Sequence, residues 1–331
     1  MERFALSRLP LAGLYEAPRE ADGDRTLLAD ELPYGTPVRL LERQGDCFRV
    51  LTFYGYPGFV RASALLALSS AEEDALFSAL RLVVRPAADV LALPSVHGAV
   101  RLTVPGGSLL PFVREAENGW SEVRLLSGEA GYVPSVFLEK PRFALPFLSV
   151  PAREAEALAA KAALREAGTK GGSGFDLPRH LAAFFGGSEE AFRACLVSSA
   201  CAFLRAPYRW GGRTPWGIDC SGLVFSAYLR AGIPVYRDAA LADGFPLERI
   251  EGAFDAAGSL RESALTDGTL LPGDALFFPG HVGLFLGEGR FVHSTAKAGS
   301  NGVVVSSLLP GAPDFREDLR RSITAAGGLR V

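Results

Sequence analysis

Cys220 stands where a loop that cannot be helical gives way to a pattern that can. The loop before it is rich in glycine and proline, and the pattern after it ends at Gly232 and Pro234. Between these limits, apolar residues recur at helical spacing: Leu223, Val224, Ala227 and Tyr228. A thiol in the first turn of a helix lies beside unpaired backbone N–H groups and the positive end of the helix dipole, which stabilise its anion. The sequence therefore predicts a nucleophilic cysteine at position 220.

His281 and His293, two of the four histidines, fall in neighbouring predicted strands. A two-residue turn at Glu288-Gly289 would place the imidazoles on opposite faces of the strand pair. A three-residue loop at Gly287-Glu288-Gly289 pairs position 283 with position 293 instead, and the imidazoles then share a face as diagonal neighbours. Glycines at both ends favour the longer loop. Gly283, opposite His293, would leave space above the sheet for a helix end or a substrate.

One thiol and two imidazoles meet the chemical requirement of a thiol hydrolase. One imidazole takes the thiol proton, and a second polar group orients that imidazole and stabilises its charge. From the order of the strands we assign His281 as the base and His293 as the orienting residue. The alternative, a buried cysteine with two ordinary sheet histidines, would be preferred for any one of them alone. A metal site is disfavoured because no second thiolate is placed to join the histidines.

These residues must be held by the last part of the chain, residues 189–331. A helix is predicted from about Glu189 to Leu204, ahead of the Cys220 helix, and it carries Cys195 and Cys201 as packing residues. Antiparallel strands are predicted at 273–280, 281–287, 290–295 and 303–306. A helix with a thiol at its start, packed on such a sheet, predicts an α+β domain.

The first half of the chain contains an internal repeat. At a constant shift of 73 positions Val50 falls on Val123 and Gly58 on Gly131, with no gap between them. The two copies, 36–65 and 109–138, are alternating runs broken by glycine, proline and aspartate. They predict two small all-β barrels, in domains 1–70 and 71–140.

The second copy, with Asn118-Gly-Trp-Ser-Glu-Val and Gly131-Tyr-Val-Pro-Ser, resembles bacterial SH3 (SH3b) domains. The first copy has Cys47 where the second has Trp120, and we interpret Cys47 as a small buried residue. Residues 141–188 are interpreted as a connector with an alanine-rich helix at 152–167.

Composition excludes several classes of partner. A net charge of −3 gives no electrostatic basis for binding nucleic acid or an anionic membrane. No window reaches the roughly 18 uncharged apolar residues that cross a bilayer, and the N-terminus lacks a signal-peptide layout. Four cysteines without a CxxC spacing favour free thiols in a reducing compartment. We therefore expect a bacterial cytoplasmic protein, or an exported one if a signal peptide was removed; the oligomeric state is left open.

Five motifs of the last domain are similar, in order and approximate spacing, to those of NlpC/P60 cysteine peptidases: Tyr208-Arg-Trp-Gly-Gly, Asp219-Cys-Ser-Gly-Leu-Val, Gly273-Asp-Ala-Leu-Phe-Phe, Gly280-His-Val-Gly-Leu-Phe-Leu-Gly and Phe291-Val-His-Ser. The resemblance implies a papain-like α+β domain that cleaves γ-D-glutamyl bonds in peptidoglycan stem peptides without a cofactor or metal. Cys220, His281 and His293 match the family triad, and Tyr208 matches a tyrosine whose hydroxyl lies by the nucleophile.

Two SH3b copies before this domain resemble the YkfC-type subgroup, which releases L-Ala-γ-D-Glu from peptides with a free N-terminal L-alanine. The resemblance implies that a substrate amine meets Arg237-Asp238 and that part of the first SH3b domain closes the groove. The residues that it assigns to substrate binding are Asp238, Arg237, Tyr56 (in Gly55-Tyr-Pro-Gly), Glu31, Trp210, Asp219 and Ser221. A carboxylate at the closed end of a groove pairs with an ammonium but not with an acylated nitrogen. It would therefore select substrates with a free amino terminus and fix the distance from that terminus to the scissile bond.

We therefore expect a γ-D-glutamyl-L-diamino acid endopeptidase of cell-wall peptide recycling, with the peptide L-Ala-γ-D-Glu-diamino acid as its substrate. Two alternatives stay open. The SH3b copies could target an exported lytic hydrolase to the wall, or the chain could be a non-catalytic wall-binding protein. The complete triad disfavours the second alternative.

Overall fold

The computed structural model describes residues 3–18, 28–69, 73–143, 175–242 and 244–331. The chain divides into two compact units. The first comprises Met1–Ala157 together with the short segment Trp210–Trp216, and the second comprises Leu158–Arg209 and Gly217–Val331. The alanine-rich helix expected at 152–167 lies outside the described residues.

The first unit contains two sheets that share one strand order. Strands of the first sheet are β1 Arg3–Ser7, β2 Leu11–Tyr15, β3 Leu28–Pro33, β4 Pro37–Gln44, β5 Cys47–Thr52, β6 Pro57–Arg61 and β7 Leu65–Ala67. Helix α1, Glu73–Ala79, leads to the second sheet. Its strands are β8 Leu80–Val83, β9 Ala87–Leu91, β10 Val100–Pro105, β11 Leu109–Glu115, β12 Trp120–Arg124, β13 Ala130–Pro134 and β14 Leu138–Glu139.

The strand order of the two sheets confirms the internal repeat. The first runs β3-β2-β6-β5-β4-β1-β7, and the second runs β10-β9-β13-β12-β11-β8-β14, which is the same order advanced by seven strands. Val50 and Val123, which the sequence comparison superposed, are both fully buried in corresponding strands. Closure into barrels and the SH3b assignment stay predictions.

Tyr34 joins the two sheets. Its side chain is 2% exposed and packs in the apolar core of the second sheet, although Tyr34 follows directly on β3 of the first. The Tyr34 hydroxyl accepts the N–H of Leu126, and its carbonyl accepts the N–H of Leu109 at 2.7 Å. Gly35 has φ +75°, and a Cβ there would collide with the Leu109 carbonyl. Only glycine therefore lets the two sheets approach at this point.

The second unit is built on a six-stranded antiparallel sheet. The helices of this unit are α2 Leu177–Phe184, α3 Glu189–Cys201, α4 Cys220–Arg230 and α5 Glu317–Ser322. Its strands are β16 Gly217–Ile218, β17 Glu248–Arg249, β18 Ala275–Phe278, β19 His281–Gly287, β20 Arg290–Thr295, β21 Gly302–Ser307 and β22 Ala325–Gly328. Strand β15, Arg213–Thr214, belongs to the first unit. The strand order is β17-β22-β18-β19-β20-β21. All four predicted strands are present, and the strands β17 and β22 were not predicted.

Helix α4 begins and ends where the sequence indicated. Asp219 is its N-cap, and Gly232, with φ +92°, follows its last turn. The residues of its predicted apolar face are all buried: Leu223, Val224, Ala227 and Tyr228. Helix α4 packs on β19 and β20. The sheet also contributes to a second apolar core that includes Leu276, Phe285 and Phe291. The catalytic candidates therefore lie in an α+β layer structure, as expected.

Helix α2 lies within the segment that we interpreted as a connector. Asp176 caps it by accepting the N–H of Arg179 at 2.9 Å. His180 is buried among aromatic rings, and its Nε2 lies 2.8 Å from the carbonyl of Ala231, at the C-terminal end of α4. This part of the segment therefore supports the helix that carries Cys220. Among the described residues no helix is both long enough and apolar enough to span a bilayer.

Candidate active site

The start of α4 is fixed by a buried group of polar side chains around Asp219. Oδ1 of Asp219 accepts the N–H of Gly222 at 2.6 Å and the hydroxyl of Ser221 at 3.2 Å. Arg237 is 2% exposed, and its guanidinium donates to Asp219 Oδ1 at 3.1 Å and to Ser221 Oγ at 2.9 Å. A second guanidinium nitrogen lies 3.4 Å from Asp219 Oδ2. We call this group, Asp219, Ser221 and Arg237, the helix-start cluster.

We expected all three residues of the helix-start cluster to bind substrate. The structure joins their side chains to one another, so their direct effect is to hold the first turn of α4. Removing Arg237 would leave a carboxylate in a buried place without its cation, which is strongly unfavourable. Contact of these residues with a substrate stays a prediction.

Cys220 is 7% exposed, and its sulfur accepts the backbone N–H groups of Val282 and Ser221. Burial raises the pKa of the thiol to about 11, and the nearby Asp219 carboxylate acts in the same direction. The two N–H groups and Arg237 lower the pKa but do not offset burial. The resting thiol is therefore neutral at neutral pH, and its reactivity depends on a base that removes the proton.

That base is provided by the strand on which Val282 lies. His281 precedes Val282 in β19, and its Nε2 is 2.8 Å from Nδ1 of His293 in β20. Because Nε2 of His281 is occupied by His293, Nδ1 is the nitrogen that can accept the thiol proton. The contact between the two imidazoles is observed, and the assignment of His281 as the base and His293 as the orienting residue stays a prediction.

The strand register is as predicted, but the loop differs. Leu284 pairs with Val292, which places position 283 across from 293. The turn itself is the two-residue Glu288-Gly289, and a bulge at Leu286 supplies the extra residue. The bulge therefore has the effect that we assigned to a three-residue loop.

The space that we expected above Gly283 is occupied. A Cβ at Gly283 would lie 2.8 Å from a ring carbon of Phe291 and 3.3 Å from Cβ of His293. The Phe291 ring packs on His293 with centroids 4.7 Å apart, and Phe278 packs beside His281 at 5.8 Å. Glycine is needed at position 283 because a side chain there would collide with the Phe291 ring, which packs on His293.

Both imidazoles are neutral in this environment. Burial lowers the pKa of His281 to about 4 and that of His293 to about 3. The Arg316 guanidinium lowers both pKa values further, and the Asp318 carboxylate acts in the opposite direction. Arg316 binds Asp318 through two nitrogens, at 2.8 and 2.6 Å. His281 is therefore an unprotonated base over the whole neutral range.

Ser306 is a site residue that the sequence did not reveal. Its Oγ lies 3.1 Å from Nε2 of His293. In the β20–β21 register His293 pairs with Val304, so Ser306 is its diagonal neighbour on the same face. In the sequence, Ser306 is simply the serine that follows the valine run 303–305. Its position beside His293 can be recognised only when the register of β20 and β21 is known.

Tyr208 lies near the start of α4, and its place beside the sulfur stays a prediction. Its main-chain N–H donates to the Asn301 carbonyl at 3.0 Å, and Tyr208 bridges to Ile218, two residues before Cys220. Burial raises the pKa of its hydroxyl to about 12, and the charges of Cys220 and Asp219 contribute in the same direction. The hydroxyl therefore stays protonated at neutral pH and can act as a hydrogen-bond donor.

A small pocket adjoins the nucleophile. Ser221 and Val282, whose N–H groups meet the sulfur, form one side of it, and Asp238 lies on its wall. The rest of the lining is mainly apolar and includes Val224, Val235, Leu241, Phe245 and Phe277. Burial and a hydrogen bond to Asp238 raise the pKa of Tyr236, whose hydroxyl donates to that carboxylate. We call this the Asp238 pocket; it combines one carboxylate with a mainly apolar lining.

The remaining predicted site residues lie in the first unit. Glu31 is buried, and its carboxylate accepts the backbone N–H of Arg213 at 3.2 Å. Tyr56 is half-buried, and its N–H donates to Thr52 Oγ1 at 2.9 Å. Trp210 is 59% exposed. Their roles toward a substrate stay predictions.

The NlpC/P60 family model matches residues 205–311, which hold Cys220, His281 and His293. Dipeptidyl-peptidase 6 of Lysinibacillus sphaericus is 33% identical over 306 residues, which are 91% of this chain and 92% of that protein. The chain belongs to the NlpC/P60 family. The gamma-D-glutamyl-L-lysine dipeptidyl-peptidase of Bacillus subtilis is 33% identical over 30% of this chain and 31% of its own length.

Among solved structures, an NlpC/P60 family protein from Bacillus cereus ATCC 10987 has a TM-score of 0.63 and covers 98% of both chains. Its sequence identity is 18%, so this likeness concerns the fold alone, and it confirms the NlpC/P60 fold. The names of the relatives support a peptidase activity for this NlpC/P60 chain. Within the parts of the chain that the structure describes, no three His, Cys, Asp or Glu side chains are grouped to hold a metal ion.

Proposed function

We propose that this NlpC/P60 chain is a cysteine peptidase that hydrolyses the γ-D-glutamyl-diamino acid bond of peptidoglycan stem peptides. It releases L-Ala-γ-D-Glu from peptides with a free N-terminal L-alanine. The observation that supports the proposal is the Asp238 pocket, whose mainly apolar lining includes the Asp238 carboxylate together with Ser221 and Val282, the residues whose N–H groups bond to the sulfur of Cys220. A relative similar over 91% of the chain is named a dipeptidyl-peptidase, an activity that counts two residues from a free end.

The reaction begins with proton transfer from Cys220 to Nδ1 of His281. The sulfur attacks the γ-carbonyl carbon of D-glutamate, and the oxyanion receives hydrogen bonds from the Cys220 N–H and the Tyr208 hydroxyl. The imidazolium of His281 then gives its proton to the leaving amine of the diamino acid as the C–N bond breaks. His281, neutral again, takes a proton from water as the water oxygen attacks the thioester carbon. The C–S bond then breaks, D-glutamate leaves with a free γ-carboxyl group, and His281 returns the proton to the sulfur.

The Asp238 pocket accounts for the length of the released product. L-Ala-γ-D-Glu has one small apolar side chain and one ammonium on the far side of D-glutamate from the scissile bond. The apolar lining suits the methyl group, and the Asp238 carboxylate pairs with the ammonium. An acylated nitrogen, as in a stem peptide still linked to glycan, carries no charge and forms no ion pair with the Asp238 carboxylate. The activity therefore fits released peptides, and we place it in cytoplasmic recycling of wall peptides.

The deciding experiment compares L-Ala-γ-D-Glu-diamino acid with its N-acetylated form as substrates of the wild type, Cys220→Ala and Asp238→Asn proteins. The wild type should prefer the free amine by about tenfold to a hundredfold in kcat/KM, since a hydrogen bond to a charged group contributes about 1.5–3 kcal/mol. Asp238→Asn should lose most of that preference, and Cys220→Ala should be inactive. Asp267→Asn, the same charge change at an exposed aspartate of the same unit, is the control.

Three results would contradict the proposal in whole or in part. Clear turnover by purified Cys220→Ala would exclude the thiol mechanism. Equal rates of the wild type on the free and the acetylated peptide would exclude the role of Asp238. If intact peptidoglycan were degraded as readily as free peptide, the wall-lytic alternative would replace recycling.

A further inference from the structure

A chain of buried side-chain contacts continues past the two histidines. His281 Nε2 lies 2.8 Å from His293 Nδ1, and His293 Nε2 lies 3.1 Å from Ser306 Oγ. His293 is 0% exposed and Ser306 is 6% exposed. The ring of Phe291, directly opposite Ser306 in the strand register, covers His293. Bulk water therefore does not replace Ser306 as the partner of this imidazole.

The contacts fix which nitrogen of each neutral imidazole carries the proton. His281 can accept a proton from Cys220 only if its Nδ1 is unprotonated, so its own proton must lie on Nε2. That N–H donates to His293, whose Nδ1 must then be bare. His293 consequently carries its proton on Nε2 and needs an acceptor there. Ser306 Oγ is the atom in place to accept it.

The reverse arrangement would disable the base. If His293 carried its proton on Nδ1, that N–H would face Nε2 of His281, and Nε2 would have to be the bare nitrogen. The proton of His281 would then lie on Nδ1, the nitrogen that must receive the thiol proton. A single misplaced proton at His293 thus propagates to His281.

We propose that Ser306 is a positioning residue that accepts the Nε2–H of His293 and thereby holds both imidazoles in the tautomer in which Nδ1 of His281 can take the proton of Cys220. Ser306 touches neither substrate nor sulfur in this role and acts through the two histidines. The charged groups Arg316 and Asp318 also act on both imidazoles, and all variants below retain them. The inference deepens the proposed function, and its turnover assay rests on that function.

The test uses the full chain and the variants Ser306→Ala, Ser306→Thr and Ser307→Ala. Threonine keeps a hydroxyl acceptor at position 306. Ser307 is a matched control because it is the next residue of β21, is 1% exposed and bonds to Gly289 and Leu309, away from the histidines. Ring ¹⁵N NMR spectra of histidine-labelled protein report the tautomer directly, and four histidines make the spectrum simple. Alkylation of Cys220 by iodoacetamide, followed by mass spectrometry of its peptide, reports the base without any substrate.

We expect wild-type His293 to be protonated on Nε2 and Ser306→Ala to shift it toward Nδ1. Alkylation of Cys220 and kcat on the stem tripeptide should each fall about tenfold to a hundredfold in Ser306→Ala, the range typical for loss of an outer partner of a metal-ligating histidine, with KM little changed. Ser306→Thr should restore the wild-type tautomer and most of the rate, and Ser307→Ala should match the wild type.

The proposal is overturned if Ser306→Ala keeps the wild-type tautomer and alkylation rate, or if Ser307→Ala lowers the rate as much as Ser306→Ala does. It is also overturned if threonine at position 306 fails to restore the tautomer. If wild-type protein cleaves no stem peptide, the proposed function fails alone, because the NMR spectra and the alkylation rates still decide the role of Ser306.

Discussion

The pairing of Arg237 with Asp219 makes a quantitative prediction about the start of the Cys220 helix. Both side chains are buried, at 2% and 7% exposure, and the guanidinium bonds to both carboxylate oxygens. Replacing Arg237 by methionine fills a similar volume but leaves the Asp219 charge without its cation. Breaking a buried pair in this way costs about 3–5 kcal/mol.

The cost should depend on the residue at position 219. In Asp219→Asn the side-chain oxygen can still cap the helix by accepting the Gly222 N–H, but the negative charge is gone. In the double variant neither charge is buried alone. We therefore expect it to be less destabilised than the sum of the two single variants, with a coupling free energy of about 2–3 kcal/mol.

Hydrogen exchange followed by mass spectrometry measures the opening free energy of α4 itself. A local measurement is needed because a chain of two units need not unfold in one step. A loss of about 3 kcal/mol in the opening free energy of α4 corresponds to roughly a hundredfold faster exchange of its amides. Strands β1 to β7, in the other unit, are the internal control. Arg237→Met should also slow alkylation of Cys220, because Arg237 lowers the pKa of that thiol. Equal acceleration of exchange by Arg237→Met in the wild-type and the Asp219→Asn backgrounds would refute the pairing argument.

Two further predictions concern the imidazoles. Burial lowers the pKa of His281 to about 4 and that of His293 to about 3. Between pH 6.5 and 4 the histidines of the unfolded chain, with their ordinary pKa of 6.5, therefore bind protons that the folded chain does not bind. The free energy of unfolding should consequently fall as the pH drops from 6.5 toward 4. Each histidine contributes at most about 1.4 kcal/mol per pH unit, and calorimetric midpoints should show a shallower pH slope in a His281→Asn/His293→Gln variant, whereas an unchanged slope would contradict buried neutral rings. Gly283→Ala should push Phe291 onto His293, lowering kcat and stability, with a cost of about 1–3 kcal/mol for overpacking; wild-type kcat in this variant would show that the ring has room to move.

The parts of the site that follow from local rules could be predicted from the sequence. Glycine and proline delimit α4. His281 and His293 share a face because position 283 pairs with position 293, and either a three-residue loop or a two-residue turn with a bulge gives this register. The bulge at Leu286 itself was not predictable, because turn and bulge give the same register and differ only in where the backbone bends.

What sequence reasoning missed depends on tertiary contacts. Strand β22 is Ala325–Gly328, a composition with low strand propensity, and it exists because β17 and β18 pair with it on either side. Its glycines are needed because a Cβ at Gly327 would lie 2.9 Å from Leu241. Arg237 was interpreted as a substrate residue from its place in a motif, whereas its bonds to Asp219 could be known only once the chain had folded.

The contact made by Tyr34 limits how the duplicated half of the chain can be altered. Tandem copies with one strand order look like interchangeable modules that could be excised or transferred singly. Here the ring of Tyr34 fills the core of the second sheet, and Gly35 fits closely against Leu109. A protein cut between the copies would leave a tyrosine-sized hole in one and an orphaned aromatic ring on the other. The two copies should therefore be expressed or transferred together, as one folding unit.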